Sequence, residues 1–155
     1  ILNQALAMHR GGNLQAAESK YREVLSRDPR QFDALHLLGV VKAQTGDYPA
    51  AAALIGSAVS VRPDHPEAHN NLGNVLAAQQ RFQEAADHYD KALRLKPDYA
   101  DALNNLGNAL RSLKRPKEAL ACYSLALALA PGHAEANNNM GEILKEQGRL
   151  DEASD

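Results

Sequence analysis

The chain has 155 residues, of which 45% are apolar and 23% are charged, and its formal net charge is −2. This balance excludes a nucleic-acid binder that works through bulk positive charge. The single cysteine, Cys122, excludes an internal disulfide framework and a cysteine-built zinc site. The longest apolar stretch, residues 50–58, is too short to cross a bilayer, and no basic leader precedes Ile1. We therefore expect a cytoplasmic protein with no nucleic-acid or membrane partner.

Prolines recur along the chain at a constant distance of 34 residues and mark an internal repeat. They are Pro29, Pro63, Pro97 and Pro131. We number each repeat so that this proline is position 32. The numbering gives a partial repeat, three complete repeats and a second partial repeat, over residues 1–31, 32–65, 66–99, 100–133 and 134–155. We interpret residues 1–155 as a single domain and, because no methionine begins the chain, expect it to be a piece of a longer protein.

Each repeat is predicted to hold two helices, helix A and helix B. In the third complete repeat Leu103, Leu106, Gly107 and Leu110 occupy positions 4, 7, 8 and 11, the spacing of one helical face. Small and aromatic residues at positions 20, 24 and 27 form a second helical stripe. A break is predicted near positions 15 to 17 of every repeat, including residues 148–150 of the last one.

These columns resemble the tetratricopeptide repeat family over the whole chain. The shared features are Leu-Gly at positions 7 and 8, Ala at 20, an aromatic residue at 24, Ala at 27 and Pro at 32. The resemblance implies an all-α solenoid of antiparallel helix pairs that stack into a right-handed superhelix, with helix A lining the concave side. Position 11 departs from the family, because Lys42, Leu76, Leu110 and Leu144 stand where an aromatic residue is usual.

A second stripe on helix A is rich in asparagine and acidic residues. Asparagine is a poor helix former, so its repetition inside helices favours a role in the groove, although duplication of one unit would also explain it. One carboxamide offers a donor and an acceptor to a peptide unit, which recognises an extended chain whatever its side chains. The predicted groove residues are Asn70, Asn71, Asn74, Asn104, Asn105, Asn108, Asn138 and Asn139, with Asp33, Glu67, Asp101 and Glu135 at position 2.

The pattern of asparagine at position 6 and an acidic residue at position 2 is similar to the repeat region of the O-linked N-acetylglucosamine transferases. That resemblance implies a ladder of Asn71, Asn105 and Asn139 that docks a substrate or partner. Asn3 is a further member beyond a gap, since Leu37 interrupts the ladder at position 6 of the first complete repeat. Co-chaperones that grip a C-terminal carboxylate instead carry lysine at position 2. The acidic residues here would repel a carboxylate, so we predict a neutral or basic extended segment.

The sequence holds no motif for chemistry, cofactors or metals. His65 and His69 are four residues apart, but Pro66 begins the helix and places His65 outside it, so we expect surface histidines. Cys122 has no recognisable base partner and is expected to be a packed or partly exposed thiol. We therefore predict a non-enzymatic protein-interaction scaffold. The alternative is a structural module that forms homo-oligomers through its repeat ends or its convex face, and a third possibility is the docking arm of a larger enzyme such as a glycosyltransferase.

Overall fold

The computed structural model describes the backbone of residues 1–154 and the side chains of residues 1–148. Every regular element in this part of the chain is an α-helix, which confirms the all-α prediction. In chain order the helices are α1 (Leu2–Arg10), α2 (Leu14–Arg27), α3 (Phe32–Gln44), α4 (Tyr48–Val61), α5 (Pro66–Ala78), α6 (Phe82–Leu95), α7 (Ala100–Ser112), α8 (Pro116–Leu129) and α9 (Ala134–Ser154). The odd-numbered helices are the A helices, and the even-numbered helices are the B helices.

The turn from helix A to helix B uses one residue in the left-handed region at position 15. Glycine supplies this conformation at Gly12 (φ 78°) and Gly46 (φ 81°), where it carries no steric cost. Gln80 (φ 61°) and Lys114 (φ 62°) adopt it in the next two repeats against the preference of a residue with a β-carbon. The turn geometry is thus the same in all four units, whether or not the residue favours it.

The close approach of helix A to helix B depends on the glycine at position 8. A β-carbon at Gly73 would lie 2.5 Å from Cε1 of Tyr89, and Gly107 leaves the same room for Tyr123. Both tyrosines are buried, with 2% and 0% of their surface exposed. The aromatic column at position 24 therefore fills the core between the two helices of a repeat.

The helices stack in a row, and each packs chiefly against the helices before and after it in the chain. From α3 onward, successive A helices also contact one another, in the pairs α3 with α5, α5 with α7 and α7 with α9. No pair of successive B helices makes comparable contact in the described part of the chain. The stack therefore curves with the A helices on its inner side, which is a concave face built from α3, α5, α7 and α9.

One predicted boundary is wrong. The break expected at residues 148–150 does not occur, because α9 runs without interruption from Ala134 to Ser154. A separate helix B over the last residues would bury only a few apolar side chains, which is too little to offset the helical hydrogen bonds lost at a turn. Continuing α9 keeps those backbone hydrogen bonds. Gly141 accordingly faces open space, since no helix B packs against it. Ala153 is at position 20 of the last partial repeat and so belongs to the predicted helix B stripe, but it lies outside the described side chains.

Candidate peptide-binding site

A ladder of side-chain hydrogen bonds joins consecutive A helices between position 5 of one repeat and position 6 of the next. Nδ2 of Asn105 donates to Oδ1 of Asn70 at 3.1 Å, and Nδ2 of Asn139 donates to Oδ1 of Asn104 at 2.9 Å. In the first rung a histidine takes the place of the acceptor amide, and Nδ2 of Asn71 lies 2.9 Å from Nε2 of His36. Each rung therefore links side chains 35 residues apart.

The histidine rung requires a neutral ring. Burial lowers the pKa of His36 from its ordinary value, and the nearby His65 lowers it further. Since the ring is then neutral at pH 7, its Nε2 can accept the Asn71 proton while Nδ1 carries the ring hydrogen. His36 thus performs the acceptor role that Asn70 and Asn104 perform in the following repeats.

Two of the predicted groove residues are not accessible to a ligand. Asn70 is 5% exposed and Asn104 is 1% exposed, and their oxygens are occupied by the ladder. Position 5 faces the neighbouring helix, because it lies one residue, about 100° around the helix, from position 6. The expectation that these two carboxamides reach a peptide is therefore wrong, and their asparagine character serves the contact between repeats.

The asparagines at position 9 are held by the tyrosines at position 24. The hydroxyl of Tyr89 donates to Oδ1 of Asn74 at 2.8 Å, and the hydroxyl of Tyr123 donates to Oδ1 of Asn108 at 2.7 Å. Burial raises the pKa of Tyr123 to about 12, so the hydroxyl keeps its proton and remains a donor. Each core tyrosine therefore fixes the orientation of one exposed carboxamide.

These two sets of bonds leave different atoms free. The position-9 carboxamides have their oxygens engaged and present N–H groups, while the position-6 carboxamides have one N–H engaged and present an oxygen. We call this row of five side chains the asparagine face. It consists of Asn71, Asn74, Asn105, Asn108 and Asn139. Asn74 and Asn108 are exposed, and the other three are half-buried.

Three depressions follow one another along the asparagine face. The first, of about 270 Å³, lies between α3 and α5 and is lined by Asn71 and Asn74. The second, of about 230 Å³, lies between α5 and α7 and is lined by Asn74, Asn105 and Asn108. The third, of about 660 Å³, lies between α7 and α9 and is lined by Asn108 and Asn139. The structure thus brings the predicted position-6 and position-9 residues together in a repeating arrangement.

The four acidic residues at position 2 stand in the first turn of their helices and line none of the three depressions. Oδ1 of Asp101 accepts from Nε2 of His133 at 3.0 Å, and Oε2 of Glu135 accepts from Nδ2 of Asn104 at 3.3 Å. Asp33 is exposed, and Glu67 lies 3.9 Å from Nζ of Lys96. Carboxylates in a first turn stabilise the helix N-terminus, which is a structural reason for their presence. Asn138 is exposed and lines no depression.

Arg111, which no predicted stripe includes, lines the third depression. Its guanidinium bonds Oε2 of Glu142 at 2.6 Å and Oε1 of Glu146 at 2.7 Å, and so ties α7 to α9. Position 12 is alanine in the two repeats before it, at Ala43 and Ala77. Arginine in place of alanine at this position, with Glu142 and Glu146 one repeat later, is the sequence feature that could have predicted these ion pairs.

The remaining candidates are structural. The Cys122 thiol is half-buried, and burial raises its pKa to about 11, so it is a poor nucleophile at neutral pH. His65 lies outside α5, as predicted, and caps it by accepting from the Ala68 N–H at 3.3 Å. His69 is 4% exposed, so the expectation of a surface histidine is wrong there, because its ring is held between the Pro63 carbonyl and the ring of His88. In the described part of the chain, no group of three or more His, Cys, Asp or Glu side chains is placed to hold a metal ion. No described helix combines the length and apolar character that crossing a membrane requires.

Comparisons with known proteins agree with the repeat fold. Sequence models of the tetratricopeptide repeat match residues 2–55 and 36–100, residues 100–133 and residues 122–153. The search of curated protein sequences finds no match. Among solved structures, MamA is 26% identical over 97% of this chain and 88% of its own, with a TM-score of 0.87.

Two further structures are similar over shorter stretches. An O-GlcNAc transferase variant of Thermobaculum terrenum is 33% identical over 82% of this chain, with a TM-score of 0.76, and the match covers 25% of the transferase. The first repeat domain of Spaghetti (RPAP3), bound to an HSP90 peptide, has a TM-score of 0.74 over 78% of this chain and 96% of its own. At 23% identity, that second likeness shows the fold alone.

Proposed function

The chain belongs to the tetratricopeptide repeat family, and on that premise we propose that its asparagine face binds the backbone of an extended segment of a partner protein. Repeats of this family form protein-interaction scaffolds and are in general non-catalytic. The finer assignment rests on the row of carboxamides along α5, α7 and α9.

The observation that carries the proposal is the fixed polarity of these carboxamides. Tyr89 and Tyr123 hold the position-9 oxygens, so Asn74 and Asn108 offer N–H groups. The ladder holds one N–H of Asn105 and Asn139, so each offers its oxygen. A peptide unit presents one carbonyl and one N–H, which match this alternation. Because the network sets the polarity in advance, little side-chain entropy is lost on binding.

The spacing of the repeats also fits an extended chain. Adjacent packed helices lie about 10 Å apart, and an extended chain advances about 3.3 Å per residue. About three residues of ligand therefore separate equivalent contacts on α5, α7 and α9. Each neutral hydrogen bond adds about 0.5–1.5 kcal/mol to binding, so several in register are needed for a useful affinity.

We further propose that the bound segment is neutral or basic. Position 2 stands one helical turn before position 6 on the same face, so its carboxylates flank the asparagine face. The Asp101 side chain is 72% exposed and the Glu67 side chain is 44% exposed, so the charge of each is open to solvent beside the asparagine face. A ligand carboxylate would meet like charge there, while lysine or arginine would be attracted.

The test uses exchanges that keep the shape of the site and reverse one atom. In the double variant Asn74→Asp with Asn108→Asp, the tyrosine hydroxyls keep an oxygen to donate to, but the groove-facing N–H donors become acceptors. The matched control is Asn137→Asp with Asn138→Asp, which changes the net charge equally at exposed positions that line no depression. Binding is measured by fluorescence anisotropy with a labelled neutral peptide of serine, threonine and valine.

We expect the groove variant to bind the peptide at least fivefold more weakly than the control variant, since the loss of two bonds of about 0.5–1.5 kcal/mol each costs about 1–3 kcal/mol. The same peptide methylated on its backbone nitrogens is expected to lose affinity for the unmodified protein, because the position-6 oxygens lose their donors. The triple variant Asn71→Ala, Asn105→Ala, Asn139→Ala adds a third comparison. Equal affinity of the groove and control variants for the neutral peptide would refute the assignment.

A second candidate function is self-association through the outer surface. The outer face of α8 exposes Leu125 at 56% and Leu129 at 47%, and α8 carries no charge after Glu118. A helix that is apolar all round is ordinarily covered by a neighbour. If copies associate there, light scattering will give a mass above that of one chain, and the variant Leu125→Glu with Leu129→Glu will return it to one chain.

A further inference from the structure

A cavity of about 470 Å³ opens at the C-terminal ends of α4 and α6. Val59, Pro63 and Leu95 provide apolar walls, and Leu95 is 43% exposed. This α4–α6 pocket shares no residue with the three depressions of the asparagine face. Exposed apolar surface that is shaped into a cavity and rimmed by polar groups is typical of an interaction site.

The one buried polar residue of the pocket is already satisfied. His69 is 4% exposed, and its Nε2 lies 2.9 Å from the carbonyl oxygen of Pro63, which can only accept, so Nε2 carries the ring hydrogen. Nδ1 of His69 is then the acceptor for the Nδ1–H of His88, 3.1 Å away. The floor therefore has no free donor or acceptor for a ligand, and an apolar group fits there best.

The rim of the pocket is positive. Lys91 and Arg94 both line it, and no acidic residue does. Asp87 and Asp90 stand four residues before these cations on α6, yet no ion pair within 4 Å joins either cation to a carboxylate in the described part of the chain. Two unpaired cations beside an apolar cavity offer charge complementarity to a ligand that carries carboxylates next to an apolar side chain.

We propose that the α4–α6 pocket is a second docking site, which takes an acidic amphipathic segment of a partner protein. An apolar side chain of that segment fills the cavity between Val59, Pro63 and Leu95, while its carboxylates pair with Lys91 and Arg94. The two sites have opposite charge preferences, since the asparagine face is flanked by carboxylates and the pocket by cations. The scaffold can then hold two segments of unlike charge at once.

The experiment uses the full chain and a labelled probe peptide of leucine and glutamate residues in helical spacing, with fluorescence anisotropy as the readout. The test variant is Lys91→Glu with Arg94→Glu, and Lys91→Gln with Arg94→Gln is a milder version. The matched control is Arg30→Glu with Lys117→Glu, which makes the same change of net charge at exposed residues outside the pocket. Circular dichroism and urea midpoints verify that all variants fold.

The proposal expects the glutamate variant to weaken probe binding at least tenfold, the glutamine variant about threefold, and the control less than twofold. Leu95→Ser is expected to weaken binding about fivefold, and amide NMR shifts to fall on residues 59–63 and 91–95 and not on the asparagine face.

Four outcomes would overturn it. The first is that the test and control variants bind the probe equally, and the second is that a probe with glutamine in place of glutamate binds as well as the original. The third is that the protein captures phosphatidylserine vesicles with the same dependence on Lys91 and Arg94. The fourth is that the chain self-associates and that these two substitutions abolish the association. The third would assign a membrane surface and the fourth a second copy of the chain. The asparagine-face variants leave probe binding unchanged in every case, so failure of this proposal is separable from failure of the first.

Discussion

Replacing Asn104 tests whether an asparagine of helix A serves the fold or a ligand. Its side chain is 1% exposed, accepts from Asn139 at 2.9 Å and donates to Glu135 at 3.3 Å. Asn104→Ala removes both bonds and leaves a void between α7 and α9. Two lost hydrogen bonds of about 0.5–1.5 kcal/mol each cost about 1–3 kcal/mol, so we expect the free energy of unfolding to fall by about 2 kcal/mol and the melting temperature by about 4–8 °C.

The assay is urea unfolding followed by circular dichroism, with Asn138→Ala as the matched control. Asn138 is exposed on the same type of helix, and alanine is the better helix former, so its replacement should change the free energy of unfolding by less than about 0.5 kcal/mol or raise it. The double variant with Asn139→Ala measures the rung itself, with an expected coupling energy of about 0.5–1.5 kcal/mol. Equal losses at Asn104 and Asn138, or zero coupling, would refute the ladder as a stabilising element.

Three further predictions follow from other contacts. Gly73→Ala should lower the free energy of unfolding by about 1–3 kcal/mol, since the new β-carbon meets Tyr89, whereas Gly141→Ala should raise it by up to about 1 kcal/mol in urea titrations. Burial, together with the nearby Lys91 and His69, lowers the pKa of His88 to about 4. As the pH falls, the unfolded chain therefore binds a proton at this residue before the folded chain does. The contribution of His88 to the free energy of unfolding should be fully present above about pH 6.5. It should fall by about 1–2 kcal/mol by about pH 5, after allowance for solvent screening. Urea midpoints measured against pH should show this fall, and His88→Gln should flatten it. Tyr89→Phe should leave the fold intact and weaken binding of the neutral peptide about threefold in fluorescence anisotropy, because Asn74 loses the hydroxyl that orients it. An unchanged affinity would contradict that role of the hydroxyl.

Much of the fold could be read from the chain because the same few positions recur every 34 residues. The glycine and tyrosine columns predicted the contact of Gly73 with Tyr89 and its counterpart at Gly107, since small and large residues on facing helices must complement one another. Positions 15 to 17 of the earlier repeats predict a break near Gly148 as well, and it is absent. A turn forms only where the helix after it can bury an apolar face, and that depends on packing beyond the local pattern.

The sequence by itself determined the repeat, the all-α architecture and the presence of a polar row on helix A, because helical periodicity and residue size act locally and repeat after repeat. Only the tertiary structure decided what each asparagine does. Neighbouring residues such as Asn104 and Asn105 differ by about 100° around the helix, and that rotation buries one between two helices and leaves the other at the groove. The free atom of each groove carboxamide is likewise set by a distant partner, which is a tyrosine 15 residues later, such as Tyr123 for Asn108, or a residue 35 positions earlier in the preceding repeat, such as Asn104 for Asn139.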